Sequence, residues 1–219
     1  MIKLLTISRK VYLVSPKDGE YEEYNSDDWT ATTAATLIPS TQKVYITTSF
    51  NNLWEISLNE RKAKKLVGMD FLGGFMDVWT RVNAAAVVGQ NIFVTTSANN
   101  LWCIDSTGNE EPKKLGGGSD NWSTCKALVA VDDKLIAFCY GLWEVNIQNG
   151  NSTPFFDDNS DDAKRSWSSV RSATVIGHNI YVINGSQLLE LDTINKNVRE
   201  ISNDDWGYTK AIVAIEVTE

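Results

Sequence analysis

Histidine is almost missing from these 219 residues and cysteine is scarce: there is one of the former, His178, and three of the latter, Cys103, Cys125 and Cys139. One imidazole cannot build a His-rich metal site, no two cysteines stand at a close metal-ligand spacing, and no Ser-His-Asp arrangement has a supporting local motif. An odd thiol count also argues against a disulfide framework, so all three are expected as reduced thiols packed like small apolar side chains. Positive charge is in deficit as well, with 20 Lys and Arg against 28 Asp and Glu, a net charge of −8 and a pI near 4.8. Nucleic acid and anionic membrane are therefore poor partners, because both are held largely by Lys and Arg. No apolar run reaches the length of a membrane span, and Thr6, Ser8, Arg9 and Lys10 interrupt the start MIKLLTISRKVYLV before it resembles a leader. The expectation is a protein without cofactor, metal or membrane insertion, cytoplasmic or exported without a cleaved signal peptide.

What is present is a repeat. Five segments align on a tryptophan: SDDWTATTAATLI (26–38), MDVWTRVNAAAVV (76–88), SDNWSTCKALVAV (119–131), KRSWSSVRSATVI (164–176) and NDDWGYTKAIVAI (203–215). Their anchors, Trp29, Trp79, Trp122, Trp167 and Trp206, recur every 40 to 50 residues or so and leave no linker over, which reads as one repeat array. Each repeat carries four short strand-like runs between turn residues, in the second copy near Ala34 to Ile38, Lys43 to Thr48, Leu53 to Leu58 and Ala63 to Val67. The pattern predicts an all-β, five-bladed β-propeller with four antiparallel strands per blade.

The strand after each tryptophan bears a small residue five positions on: Ala34, Ala84, Ala127, Ser172 and Ala211. Space between blades is least near the axis, so this strand is placed innermost. The chain then begins on a second strand and ends on an inner one, and the C-terminal strand closes the ring by joining the N-terminal blade. The expected blades are 208–219 with 1–26, then 27–75, 76–118, 119–163 and 164–204. Large third-strand residues, Tyr12, Trp54, Trp102, Trp143 and Leu189, are expected as core between the wider outer parts of the sheets.

Two roles are open to the anchor tryptophans. As buried wedges each removes about 150 to 250 Å² from water, on the order of 4 to 6 kcal/mol before entropy and strain are subtracted. Alternatively they face a ligand. Asp27, Asp77, Asp120 and Asp204 stand two residues before the tryptophan, with Arg165 at the fourth copy, and Thr30, Thr80, Ser123, Ser168 and Gly207 follow it. A carboxylate that accepts two hydroxyls, an aromatic face for a pyranose and a nearby hydroxyl make up a small carbohydrate site, while the same Asp also suits turn capping. Alternating strand directions put these loops on one face with the second-to-third turns, whose Asn51, Asn52, Asn99, Asn100 and Asn184 can join a pocket between blades. The candidate sugar-binding set is Asp27, Trp29, Asn51, Asn52, Asp77, Trp79, Asn99, Asn100, Asp120, Trp122, Trp167, Asp204 and Trp206, with no catalytic and no metal-binding residues.

The run DNWSTCKALVAV (120–131) leading to KLIAF (134–138), echoed in the other copies, resembles the five-bladed propeller lectins of the tachylectin type. That resemblance implies a non-enzymatic, multivalent carbohydrate-binding protein whose blade junctions hold N-acetylated sugars, the fourth junction being degraded by Arg165 and Ser166. The alternative is an intracellular protein-protein interaction scaffold using the tryptophan-loop face and the apolar insertion 68–76, with Phe71 and Phe75. Three further features are weighed. His178 and the acidic run 156–165 read as solvated turns, and Lys126, Arg171 and Lys210, with Thr33 and Asn83, line the central channel. An enzyme is disfavoured because no acid, base and nucleophile recur together.

Overall fold

A computed structural model of the chain describes residues 2–7, 10–14, 21–25, 29, 32–38, 43–48, 53–58, 60, 62–66, 82–105, 110–115, 121–156, 162, 165–202 and 206–216. They form five four-stranded antiparallel sheets. The second blade is β4 (Thr32–Ile38), β5 (Lys43–Thr48), β6 (Leu53–Ser57) and β7 (Lys62–Leu66), and the third is β8 (Val82–Val88), β9 (Asn91–Thr96), β10 (Asn100–Asp105) and β11 (Lys113–Leu115). The fourth is β12 (Cys125–Val131), β13 (Lys134–Cys139), β14 (Gly141–Asn146) and β15 (Ser152–Pro154), and the fifth is β16 (Val170–Ile176), β17 (Asn179–Asn184), β18 (Gln187–Asp192) and β19 (Asn197–Ser202).

The first blade is assembled from both ends of the chain. Its order is β20 (Ala211–Glu216), β1 (Ile2–Ile7), β2 (Val11–Val14) and β3 (Tyr21–Asn25), with Ile7 opposite Ala211 and Ile2 opposite Glu216. Each inner strand comes within 8 Å, Cα to Cα, of the inner strand of the next blade, β20 meeting β4 as well as β16. The ring is closed, and closure leaves no open edge at the joint of the termini.

Local chemistry fixes the register. Three first-to-second turns are two-residue hairpins opening on a left-handed residue, Gly89 (φ 60°), Asp132 (φ 53°) and Gly177 (φ 60°), so the pairs Val88–Asn91, Val131–Lys134 and Ile176–Asn179 face each other. Such turns match the strand twist, and Gly and Asp tolerate the backbone they need. The small residue behind each tryptophan is buried where a larger one would collide with the next sheet: Ala34, Ala84, Ala127 and Ala211 are all under 9% exposed. Ser172 takes that place in the fifth blade and uses its hydroxyl. Its Oγ accepts the Ile212 N–H at 3.1 Å, and Thr174 Oγ1 accepts the Ala214 N–H at 2.8 Å, so two backbone donors on the free edge of β20 are satisfied by the neighbouring blade.

Two expectations need correction. The inner strands begin near the tryptophan, at Thr32, Val82 and Val170, two or so residues before the small position, because a bulge lets the chain pair earlier. Trp54, Trp102 and Trp143 are half-buried instead of core. They lie over cluster margins, with Trp143 Nε1 donating to Cys139 O at 3.2 Å and its ring passing beside Gly141, while Leu101, Ile104, Leu142 and Val145 on the same strands are buried.

Candidate functional site

The tryptophan segment folds alike in all four repeats where it is described. Trp29 O, Trp122 O, Trp167 O and Trp206 O each accept the backbone N–H three residues on, from Thr32, Cys125, Val170 and Thr209. This single tight turn reverses the chain into the inner strand and drops the indole between blades. Relative exposures are 3% for Trp29, 2% for Trp122, 1% for Trp167 and 7% for Trp206. Trp122 packs with Ala84, Phe93 and Leu101 of the third blade, and Trp206 with Tyr181, Ile183 and Leu188 of the fifth. Trp167 meets Phe138 edge-on at 5.4 Å and stacks on Phe156 at 6.4 Å, and Trp29 meets Trp54 edge-on at 5.5 Å. Trp122, Trp167 and Trp206 lean on the preceding blade, and Trp29 lies in a cluster shared by the first blade (Leu5, Ile7, Val11) and the second (Val44, Ile46, Ile56). All four are wedges, and none offers a ring face to a ligand.

Polar groups do gather above one wedge. Where the third blade meets the fourth, Asn99 Oδ1 accepts the Ser123 N–H at 3.1 Å, Asn83 Nδ2 donates to Ser123 O at 3.1 Å, and Ser123 Oγ donates to Asn121 Oδ1 at 2.8 Å. Asn99 holds a left-handed backbone (φ 62°), which an Asn side chain tolerates, and Asn99 and Asn121 are exposed. A second-to-third turn and a tryptophan loop from adjacent repeats are thus joined on one face. Asn83, expected in the channel, is spent on this junction. Asn100 is half-buried at the start of β10.

At the next junction Asn184 Nδ2 donates to Ser166 O at 3.1 Å, and the Ser166 and Ser168 hydroxyls lie 2.8 Å apart. Asn184 Oδ1, Trp167 Nε1 and Trp122 Nε1 are buried and have no hydrogen-bond partner among the described residues, whereas Trp206 Nε1 is 3.5 Å from Ser202 Oγ. Asp27, Asp77, Asp120, Asp204, Trp79, Asn51 and Asn52 lie outside the described residues, as does the insertion 68–76.

Two exposed aromatics escaped the sequence reading. Tyr140 and Tyr208 are each 70% exposed, on the second-to-third turn of the fourth blade and in the last tryptophan loop, hence on the same face. Tyr140 also has a left-handed backbone (φ 47°), unusual for a bulky residue. It stands alone between Cys139 and Gly141, which pair directly, where the third blade spends three residues, Ser97 to Asn99. The shortened turn CYG was the available signal.

On the opposite face His178 and Asp132 are 3.8 Å apart and more than half exposed, and in the connection leading to Trp167 Asp162, from the acidic run, lies 3.6 Å from Arg165. Among the described residues no group of three His, Cys, Asp or Glu could hold a metal ion, and no helix is long and apolar enough to cross a membrane. Cys125 and Cys139 are buried opposite one another, and burial pushes the Cys103 thiol above its ordinary range. Along the axis runs a cavity of about 200 Å³, lined by three consecutive residues from each inner strand: 35–37, 85–87, 128–130, 173–175 and 212–214.

These features define the class: a five-bladed β-propeller with tryptophan wedges between blades. Known structures agree on the fold. A chain in the crystal structure of a nidogen/laminin complex matches with a TM-score of 0.63 at 13% identity, over 98% of both chains. A structural genomics protein of unknown function from Bacteroides thetaiotaomicron matches with a TM-score of 0.58 at 14% identity, over 91% of this chain and 55% of that one. No family model and no curated protein matches the chain.

Proposed function

We propose that this protein is a non-enzymatic carbohydrate-binding propeller of the tachylectin kind, with sugar sites at the blade junctions on the tryptophan-loop face. The observation that carries this reading is the Asn99–Ser123–Asn121 cluster, in which two blades contribute polar groups to one exposed place above buried Trp122. Amides both donate and accept, which suits the hydroxyls and acetamido groups of an N-acetylated sugar. The wedge beneath keeps those groups in place, and pre-organisation lowers the cost of ordering them on binding. Asp120, two residues before Trp122 in the sequence, is the carboxylate proposed to complete the site, with Asp27, Asp77 and Asp204 in the corresponding places of the other repeats. Several weak sites on one rigid ring gain roughly 10² to 10⁴ in avidity on a glycan-dense surface.

The second reading is a protein-interaction scaffold, favoured by Tyr140 and Tyr208, whose exposed rings on the same face are of the kind that anchors protein interfaces. A glycan array followed by titration of the best sugar separates the two. Carbohydrate binding predicts a hit that Asn121→Ala and Asp120→Ala weaken without lowering the melting temperature. A blank array, together with a protein partner lost on Tyr208→Ala, transfers the face to the scaffold reading.

A further inference from the structure

The inner strands carry an irregularity at one repeated position. Register shifts between Thr32 and Ala34, Val82 and Ala84, Cys125 and Ala127, and Val170 and Ser172 leave Thr33, Asn83, Lys126 and Arg171 as extra, unpaired residues. The equivalent residue of the first blade is Lys210, just ahead of β20, whose N–H bonds Ile7 O at 2.5 Å. A bulge redirects the side chain it extrudes. Asn83 uses this to reach the Ser123 carbonyl of the next blade; the bulge itself lies close to the axis, since two residues further along each strand the cavity lining starts, at Leu128 after Lys126, Ala173 after Arg171 and Ile212 after Lys210. Two strand residues rise about 7 Å, which a Lys or Arg side chain spans.

Three of these five positions are cationic, and they occupy consecutive blades, the fourth, fifth and first, in which each inner strand passes within 8 Å of the next. Lys126 and Arg171 are exposed and Lys210 half-buried, and among the described residues none makes an ion pair or a side-chain hydrogen bond. Like charges on neighbouring strands with no counter-charge among the described residues repel one another, an arrangement that a bound anion relieves. We propose that Lys126, Arg171 and Lys210 form an anion site at the mouth of the axial cavity on the tryptophan-loop face, taking a compact polyanion that bears phosphate or carboxylate groups. The overall charge of −8 does not oppose it, because at physiological salt charges beyond about 8 Å are largely screened. The site uses none of the junction residues Asn99, Asn121 and Ser123 and stands whether or not those bind sugar.

The test is calorimetric and thermal-shift titration of the full chain with tripolyphosphate and with tricarballylate, at constant ionic strength. At least one anion is expected to bind and raise the melting temperature. A response to tripolyphosphate alone assigns phosphate esters, to tricarballylate alone polycarboxylates, and to both a site that reads charge density. K126Q/R171Q/K210Q is expected to lose the response, while K113Q/K114Q, on the outer strand of the third blade, keeps it. If the triple variant does not fold, the singles decide, each weakening binding by about tenfold, the scale of one charge-assisted contact. No response to either anion, or a response that survives K126Q/R171Q/K210Q or all three singles, overturns the proposal.

Discussion

Replacing Trp167 by alanine separates a wedge from a ligand platform, and the structure gives the size of the effect. The indole is 1% exposed and packs against the Phe138 and Phe156 rings. Truncation of a buried Trp costs about 3 to 5 kcal/mol, transfer and cavity terms together. The lower end applies here, since Trp167 Nε1 is buried with no partner among the described residues and its removal returns part of a penalty of about 1 to 3 kcal/mol. A loss of about 3 kcal/mol lowers the melting temperature of a chain this size by roughly 6 to 12 °C. Trp167→Phe keeps an aromatic ring there, leaves a smaller cavity and deletes the buried N–H, so it should lose less than Trp167→Ala. Urea unfolding followed by far-UV circular dichroism is the assay, because fluorescence changes with the tryptophan itself. A cost below about 1 kcal/mol for Trp167→Ala, or a larger one for Trp167→Phe than for Trp167→Ala, would refute the wedge assignment.

Deleting 208–219 removes β20 and bares the edge of β1, so cooperative unfolding should vanish; a normal melting transition in the truncated chain contradicts the closure. Tyr140→Gly relieves a left-handed backbone that costs an L residue about 1 to 2 kcal/mol, partly offset by glycine's unfolded-state entropy, and should raise stability by up to about 1 kcal/mol in urea titration. The Asp192 carboxylate accepts the Asn195 backbone N–H, Asn195 Nδ2–H and the Ile194 N–H, which hold its pKa below the ordinary 3.8. Its folded-state value being the lower one, the stability it contributes is present above pH 3.8 and lost as pH falls through that folded value; Asp192→Asn should flatten the acid limb of melting temperature against pH, and an unchanged limb contradicts the assignment.

The fold was legible because a propeller repeats its grammar. A tryptophan, a small residue five places on and two apolar runs recur often enough that strand order and the closing role of 211–216 follow from counting. What did not follow was which residues of an apolar strand are interior. Trp54 and Trp102 read as core in LWEI and LWCI, yet it is the flanking Ile56, Leu101 and Ile104 that are buried, with the larger rings left at the margin. Alternation tells the two sides of a sheet apart but says nothing of distance from the axis, which sets how large a side chain the gap admits.

The meeting of a second-to-third turn with the next tryptophan loop was legible in the sequence, but not which way the loop faces. Sequence placed Asn99 and the Trp122 loop on one face from adjacent repeats, and they meet at 3.1 Å. It could not tell whether the indole or the polar loop faces outward, because Asp-x-Trp-Ser suits a capped turn and a sugar cradle equally. The deciding element is the hydrogen bond from the third residue on to the tryptophan carbonyl, which turns the chain so that the indole points inward and residues one and two places on, such as Ser123, Ser168 and Tyr208, form the rim. The same turn begins the bulge that sets Lys126 and Arg171 beside the axis. One backbone device in each described repeat therefore seals the blades with tryptophan and turns its polar, tyrosine and cationic neighbours outward, so the proposed binding and the stability should separate by position: changes at 122, 167 and 206 are expected to act on folding, and changes at 121, 126 and 208 on the proposed binding.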